Sequence, residues 1–332
     1  MSIVVNQGGV MTTIQDLGRY SYQRYGVVVG GAMDSFSHKL ANLIVGNNLN
    51  EATLEITLVG PELYIIEDTL FSICGASFQA KINDVRVPMG RPIFVKRGTT
   101  LKIGRCLNGC RAYIAFQGGI DTPFVLNSRS TYERGKFGGL CGERLKKGDI
   151  IPLKEQVQKK NFLNVHHDFY STTRWFVNPY RTSKEIRVTE GRQRCLFTEE
   201  AIQSFFTTKY QITVNSDRMG YRLKGEALQL KQKVELISEA TVFGTVQVPP
   251  DGQPIVLMAD RQTTGGYPKI ANVISVDLPM LAQLKPGDEV HFKEVSLKEA
   301  QKLYVEQELD LKKLAFILKD KERSDEKDRF KL

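Results

Sequence analysis

Asp260, Tyr267 and Lys269 are the residues of this chain whose types and spacing are best suited to acid–base chemistry. The apolar run 255–259 predicts a buried strand that ends just before Asp260. The paired glycines 265–266 would let the backbone approach a ligand closely, just before Tyr267 and Lys269. Asp260 could act as a base, while Tyr267 or Lys269 could donate a proton or stabilise an oxyanion. We predict that these three residues are catalytic.

Polar and glycine residues in the predicted loops form a second set, which could bind a substrate. Arginine pairs bidentately with carboxylates and phosphates, and the other side chains and backbone N–H groups add donors. Structural roles stay open, because Asp34 could cap a helix, Asp251 could close a turn, and the arginines could bridge loops. The predicted substrate-binding residues are Arg19, Asp34, Asn127, Ser128, Arg129, Gln247, Asp251, Gln253, Thr263, Thr264, Gly265 and Gly266.

The sequence predicts no metal site built by this chain alone. Its five cysteines include no C-x-x-C pair, which favours reduced thiols over a zinc site. Cys141 follows two glycines and is predicted to be a buried structural thiol. The chain also lacks the phosphate-binding G-x-x-x-x-G-K-[ST] pattern, the G-x-S-x-G nucleophile elbow and the H-E-x-x-H zinc motif. Enzyme classes that depend on these motifs are therefore disfavoured.

Length and charge limit the class of protein further. With 332 residues, two domains are favoured over one. The net charge of +9 is spread along the chain without a basic block interleaved with aromatics, so we predict no nucleic-acid partner. No apolar run reaches membrane-spanning length and the N-terminus has no signal-peptide pattern. We expect a cytoplasmic protein with no membrane partner.

Hydrophobic periodicity predicts a mainly β protein with a few short helices. Short apolar runs separated by turns between 53 and 153 are typical of a barrel or sandwich. Asp34 would cap the clearest helix of the first half, and Asp277 would cap a short helix in the second. Ser296 and Glu299 form a capping box that opens a helix near the C-terminus.

Features of the first half recur in the second, which suggests two related β domains. The segment 284–290, for example, echoes 145–151. The predicted organisation is a first β domain at 1–160, a connecting segment at 161–184, a second β domain at 185–300, and a helical, charged extension at 301–332.

Several ordered motifs identify the chain as a member of a known family. The residues that carry the resemblance include Asp16-Leu17-Gly18-Arg19, Gly31-Ala32-Met33-Asp34, Asn127-Ser128-Arg129-Ser130, the segment 216–222 and the whole stretch 244–272. They resemble the allophanate-hydrolase-subunit-2 family, also called the biotin-dependent carboxyltransferase-like family. Arg192 departs from its pattern, since relatives often carry proline there. The resemblance implies tandem cyclophilin-like β-barrel domains.

The resemblance also implies an activity shared among several chains. It points to an ATP-dependent 5-oxoprolinase that cleaves 5-oxoproline to L-glutamate, in which the chain acts with the B component (subunit-1-like) and the A component of the enzyme. ATP and Mg²⁺ are then the expected cofactors, in whole or in part bound with a partner, and no biotin is attached to this chain. One alternative is a carboxyltransferase component that moves CO₂ from carboxybiotin to urea or a related amide. Another is a non-enzymatic regulator that binds a kinase-inhibitor protein.

Overall fold

A computed structural model of the protein describes residues 1–154, 163–177 and 183–327, with side chains as far as residue 319. The chain divides into two compact units. Unit 1 comprises Met1–Gly18, Asp34–Tyr180 and Leu309–Leu332, and unit 2 comprises Arg19–Met33 and Arg181–Glu308. The predicted end of the first domain at 160, parts of the connecting segment (161–162 and 178–182) and the last residues of the extension (328–332) lie outside the described residues.

Unit 1 is built on one antiparallel sheet. The two long strands β5 and β8 pair with each other through several β-bulges, and β8 also pairs with β3 and β4. Inward-facing residues such as Ile3, Leu54, Ile73 and Ile114 form a continuous apolar core. The strands are β1 Ser2–Gln7, β2 Met11–Gln15, β3 Thr53–Thr57, β4 Glu62–Ile65, β5 Thr69–Ile82, β6 Val85–Arg86, β7 Ile93–Val95, β8 Thr100–Phe116, β9 Ile150–Pro152, β10 Val165–His166 and β11 Tyr170–Thr172.

The predicted connecting segment contributes to this sheet where it is described. β10 pairs with β11, and β11 pairs with β7. These strands are too short for their alternation to stand out from the surrounding polar sequence, so the sequence did not predict them.

Helix α1, Ser35–Ile44, begins at the predicted cap. The side chain of Asp34 accepts hydrogen bonds from the backbone N–H of Ser37 at 2.8 Å and from its hydroxyl at 2.7 Å. Leu40 and Ile44, which belong to the predicted apolar face, are buried. The structural role of Asp34 as a helix cap is therefore confirmed.

His38, on the buried side of α1, makes the stability of the protein depend on pH. Its ring nitrogens lie 2.9 Å from the hydroxyl of Thr53 and 3.1 Å from the carbonyl oxygen of Leu49. Burial lowers the pKa of His38 from 6.5 to about 4. Between these two values the unfolded chain binds more protons than the folded one, so the free energy of unfolding falls as the pH falls.

We expect His38 to account for a loss of about 2 kcal/mol between about pH 7.5 and pH 5. Urea unfolding of the wild type and of His38→Asn at both pH values measures this. The variant has no imidazole to protonate and should show a correspondingly smaller pH dependence. An equal pH dependence in the two proteins would contradict the assignment.

Unit 2 contains a closed barrel. Its strands run in the order β12-β19-β16-β17-β14-β13-β20, and the parallel pairing of β20 with β12 closes it. Strands β15 and β18 pair separately, as a two-stranded β15–β18 ribbon. The elements are β12 Glu185–Glu190, α2 Glu199–Thr207, β13 Tyr210–Ile212, β14 Gly220–Lys224, β15 Glu239–Ala240, β16 Thr245–Gln247, β17 Ile255–Leu257, β18 Thr264–Gly265, β19 Lys269–Val273, α3 Leu278–Ala282 and β20 Glu289–Glu294, with 3₁₀ turns at Gln23–Tyr25 and Arg194–Leu196. Helix α4, Leu297–Lys327, begins in unit 2, and its residues from Leu309 onward belong to unit 1.

The segment 19–33 clusters with unit 2, although the predicted first domain, 1–160, included it. The backbone N–H of Gly30 donates to the carbonyl of Ala259 at 3.2 Å, and Met33 belongs to the barrel core. Arg19 is fully buried, and its N–H donates to the carbonyl of Val29 at 2.8 Å. Apolar burial and backbone pairing thus determine where this loop belongs, and neither is visible in its local composition.

Asp277 precedes α3 as predicted, but its side chain does not cap the helix. The carboxylate instead accepts three hydrogen bonds from Arg187: from the backbone N–H at 2.7 Å, from Nε at 3.0 Å and from Nη2 at 2.6 Å. This ion pair raises the pKa of Arg187. The predicted cap was wrong because charged donors occupy both oxygens that would have capped the helix.

The long helix α4 begins at the predicted capping box. The hydroxyl of Ser296 accepts a hydrogen bond from the N–H of Glu299 at 3.2 Å. The helix runs for 31 residues and is therefore not short. No helix within the described part of the chain is both long and apolar enough to cross a membrane.

Candidate functional site

A cluster of polar side chains lies on the outer face of two barrel strands in unit 2. Gln247 on β16 is the register partner of Lys269 on β19. Val246 and Val248 point into the barrel core, so Gln247 between them faces outward. The β15–β18 ribbon covers this position, because a Cβ atom on Gly265 would lie only 2.5 Å from Nε2 of Gln247.

Glu239 of the ribbon completes this donor cluster, which we define as Gln193, Glu239, Gln247 and Lys269. Glu239 is the register partner of Gly265. Its Oε2 accepts a hydrogen bond from Nε2 of Gln193 at 3.0 Å and lies 3.5 Å from Nζ of Lys269. Gln193 is fixed in turn, because its Oε1 accepts from the backbone N–H of Lys269 at 3.2 Å. Gln193, Glu239 and Lys269 are therefore linked by hydrogen bonds, and Gln247 belongs to the group as the strand partner of Lys269.

Hydrogen-bond donors and positive charges surround the carboxylate of Glu239 in this cluster. The hydrogen bond from Gln193, followed by the charges of Arg192 and Lys269, lowers the pKa of Glu239. Arg192, where relatives often have proline, brings Nη1 to 3.5 Å from the same Glu239 oxygen. The side chain of Lys269 is only 8% exposed and that of Glu239 is 35% exposed. The carboxylate thus has direct access to water, while the ammonium group has little.

Gln247 contributes an unsatisfied donor to the cluster. The residue is 5% exposed, and its Nε2 has no hydrogen-bond partner among the described residues. A buried polar group without a partner costs free energy, so such a group is a candidate for ligand binding. A cation, two amide donors and a carboxylate in one place could hold a small molecule with a carboxylate and an amide oxygen.

Asp260 occupies a different environment. Its two carboxylate oxygens accept hydrogen bonds from Nε and Nη2 of Arg218 at 2.9 and 3.0 Å. Arg218 also donates to the carbonyl oxygen of Gly31 at 2.7 Å. Both oxygens of the Asp260 carboxylate are therefore occupied by one arginine in a bidentate ion pair. The catalytic role of Asp260 stays a prediction; its contacts give it a positioning role, because it orients Arg218, which binds the 19–33 segment.

The other predicted residues of unit 2 do not join the donor cluster through any described contact. Tyr267 is 46% exposed. Asp251 accepts from the backbone N–H of Gln253 at 3.1 Å, the turn role left open above. Gln253 holds the backbone N–H and carbonyl of Gly225 with its amide. Thr263 and Thr264 lie along the ribbon, while a Cβ on Gly266 would meet the carbonyl of Leu236 at 3.2 Å.

Predicted residues of unit 1 gather around Asp16. Its Oδ1 accepts hydrogen bonds from the hydroxyls of Ser128 and Ser130 at 2.7 and 2.6 Å, and its Oδ2 accepts from the N–H of Arg129 at 2.6 Å. Asn127 is exposed and has a φ of +59°. Asp16 thereby holds the 127–130 loop in place, which is a structural role.

The guanidinium group of Arg129 bridges loops, one of the alternatives left open above. Its Nε donates to the carbonyl of Thr122 at 2.7 Å, and Nη2 lies 3.4 Å from a carboxylate oxygen of Asp121. The group also lies 3.7 Å from the ring centroid of Phe124, a cation–π distance.

Cys141 is exposed, so the prediction that it is buried was wrong. Its backbone φ of +56° belongs to a surface turn.

Four functional candidates were missing from the predicted site. They are Gln193, Arg218, Glu239 and Arg261. Arg261 is almost entirely buried, its Nε has no hydrogen-bond partner in the part of the chain that the structure describes, and burial lowers its pKa. Gln193 stands next to Arg192, which departs from the family pattern, whereas Glu239 lies in a segment with no recognisable pattern.

Comparison with known proteins places the chain in a family. The family model for the carboxyltransferase domain, subdomain A and B, matches residues 25–294, most of the chain. The chain belongs to this family. The matched region contains the donor cluster and the Arg218–Asp260 pair.

Two bacterial relatives match this carboxyltransferase-domain chain over nearly its whole length, and both are named as the C subunit of 5-oxoprolinase. The relative from Haemophilus influenzae is 38% identical over 315 residues, covering 93% of this chain and 96% of the relative. The relative from Escherichia coli is 37% identical, covering 94% of this chain and 97% of the relative.

Fungal urea enzymes contain the same carboxyltransferase domain within much longer chains. The urea amidolyase of Saccharomyces cerevisiae is 32% identical; the match covers 94% of this chain but 18% of the relative. The crystal structure of the Kluyveromyces lactis urea carboxylase matches with a TM-score of 0.84 at 33% identity, over 94% of this chain and 29% of that one. The chain thus has the mainly β fold that its motifs implied.

Proposed function

We propose that this chain is the C subunit of an ATP-dependent 5-oxoprolinase, which cleaves 5-oxoproline to L-glutamate. The observation that carries the proposal is the end-to-end match with two relatives of that name, which spans 96–97% of their lengths. The name implies further subunits, and we propose the B and A components of 5-oxoprolinase as the partners. The donor cluster supports a small amide-containing substrate, because it offers a cation and amide donors together.

The chemistry explains why such donors are needed. A lactam carbonyl is a poor electrophile, so the reaction is coupled to ATP. Transfer of the γ-phosphoryl group to the amide oxygen makes the ring carbon reactive; water then adds, the C–N bond breaks to free the amine, and a second water releases phosphate from the acyl phosphate. Donors around the amide oxygen and the substrate's other oxygens orient the ring and stabilise developing charge. Lys269 and Gln247 are our candidates for this role.

ATP and Mg²⁺ are proposed as ligands of the assembled enzyme. In residues 1–154, 163–177 and 183–319 no three side chains among His, Cys, Asp and Glu are grouped to hold a metal ion. We derive no step through the metal here, and we propose that both ligands bind at least partly through a partner subunit.

A second candidate function is carboxyl transfer from carboxybiotin to urea or a related amide. The structural match to the Kluyveromyces lactis urea carboxylase favours it. A separate biotin carrier would be needed, since the sequence has no biotin-attachment motif of the Met-Lys-Met type. The two functions differ in one observable, because only the oxoprolinase forms glutamate from 5-oxoproline.

The deciding experiment mixes this chain with its two proposed partners, ATP and Mg²⁺. Phosphate release and glutamate are measured with and without 5-oxoproline. We expect 5-oxoproline to stimulate phosphate release and to yield glutamate, and omission of this chain should abolish both. A formed complex that shows no stimulation would overturn the proposal. Carboxybiotin-dependent carboxylation of urea would then be tested next, followed by binding to a kinase-inhibitor protein without catalysis.

A further inference from the structure

The carboxylate of Glu239 occupies a position that would suit the carboxylate of a bound ligand better than that of a structural side chain. Its Oε2 is shared by Nε2 of Gln193, Nζ of Lys269 and Nη1 of Arg192, at 3.0, 3.5 and 3.5 Å. Two of these three separations exceed a good charge-assisted hydrogen bond, which is about 2.7–2.9 Å. Three donors thus surround one oxygen, but two of them do not form short hydrogen bonds with it.

We propose that Lys269 and Gln193 form a carboxylate subsite for the substrate. The carboxylate of Glu239 occupies the place of the substrate carboxylate, and a small ligand enters the subsite by displacing the Glu239 side chain. The displacement needs no rearrangement of the barrel, because Lys269 and Gln193 are fixed by backbone hydrogen bonds that do not involve Glu239. The side chain of Glu239 can turn toward water, since it is already partly exposed.

The unsatisfied amide of Gln247 indicates what else the ligand carries. Gln247 and Lys269 are register partners beside a β-bulge, and Gly265, the partner of Glu239, lies against the Gln247 amide, so one small molecule can contact both side chains. Nε2 of Gln247 is a donor, and its complement is a carbonyl oxygen. A ligand with a carboxylate and a nearby amide carbonyl fits both groups.

The proposed function supplies such a ligand, and the choice of 5-oxoproline here rests on it. Its carboxylate and its lactam carbonyl flank the ring nitrogen. In the proposed arrangement Lys269 and Gln193 hold the carboxylate, and Gln247 Nε2 faces the lactam oxygen. Gly265 is required over the site, because a side chain there would push the Gln247 amide aside.

Ligand titration of the full chain tests the subsite without relying on turnover. Binding of 5-oxoproline is compared in the wild type and in Glu239→Gln, at constant ionic strength. Removal of the competing carboxylate should tighten 5-oxoproline binding about tenfold. The amide of 5-oxoproline, which has a carboxamide in place of the carboxylate, should bind the two proteins equally. Lys269→Met should weaken binding of the acid but not of the amide.

Glu185→Gln is the matched control, because it removes the same charge from unit 2 at the surface pair with Lys293. It should leave both affinities unchanged. An unchanged affinity of Glu239→Gln for 5-oxoproline, or no binding by either protein, would overturn the assignment of 5-oxoproline to the subsite even if the complex proves to be an oxoprolinase.

Acetate separates failure of the subsite from failure of the proposed function. If acetate binding tightens in Glu239→Gln while 5-oxoproline does not bind, the carboxylate subsite stands and its ligand is a different carboxylate. If acetate binding is also unchanged, the subsite is refuted whatever the substrate of the assembled enzyme.

Discussion

Arg218→Met is expected to destabilise the barrel of unit 2 by about 3–5 kcal/mol, because it leaves the carboxylate of Asp260 buried without its cation. The side chains of Arg218 and Asp260 are only 6% and 10% exposed. The substitution also removes the donor to the Gly31 carbonyl. Urea unfolding measures the loss as a lower transition midpoint.

A surface ion pair in the same barrel provides the control. Lys209 lies 3.4 Å from Glu289, and both side chains are more than half exposed. Lys209→Met should therefore cost about 0–1 kcal/mol. The double variant Arg218→Met/Asp260→Leu should recover much of the lost stability, since no unpaired charge remains. If Arg218→Met costs no more than Lys209→Met, the pair does not hold the barrel as we describe.

This stability effect limits what Asp260 can reveal about catalysis. Asp260→Asn would leave Arg218 without its anionic partner, so a loss of turnover could arise from misfolding as well as from a missing base. Lys269 is the better test of the site because its partner, Glu239, keeps Gln193 and water as alternatives.

Local sequence patterns correctly predicted the features that depend on contacts between residues close together in the chain. Asp34 caps its helix because the cap and its partner, Ser37, are three residues apart. Asp251 closes its turn for the same reason, with Gln253 two residues away. The mainly β architecture followed from short apolar runs and from the family motifs.

The features that the sequence did not predict depend on contacts between residues far apart in the chain. Arg218 meets Asp260 across 42 positions, and Gln193 meets Glu239 across 46. Glu239 enters the site only because β15 pairs with β18 and places it opposite Gly265. Asp277 has the sequence context of a helix cap, but Arg187, 90 positions away, takes its carboxylate. Single-sequence periodicity does not report such partners.

Lys269→Met should lower kcat/KM of the assembled complex for 5-oxoproline-dependent phosphate release by roughly a hundredfold. This is about the loss expected when one preorganised charged donor is removed from a water-poor site. Met keeps the buried methylene stem in place, and the lost ion pair has a partly exposed partner, so the unfolding midpoint should change little.

The kinetic parameters distinguish what the ammonium group of Lys269 does. If it holds the substrate carboxylate, KM rises with kcat nearly unchanged; if it stabilises charge that develops at the lactam oxygen, kcat falls. Lys231→Met removes a charge of the same type at a surface pair with Glu199 and should leave both parameters unaltered. If turnover of Lys269→Met stays within twofold of the wild type in a stable complex, the donor cluster is not part of the active site. The buried lysine beside the unsatisfied amide would then have a structural role only.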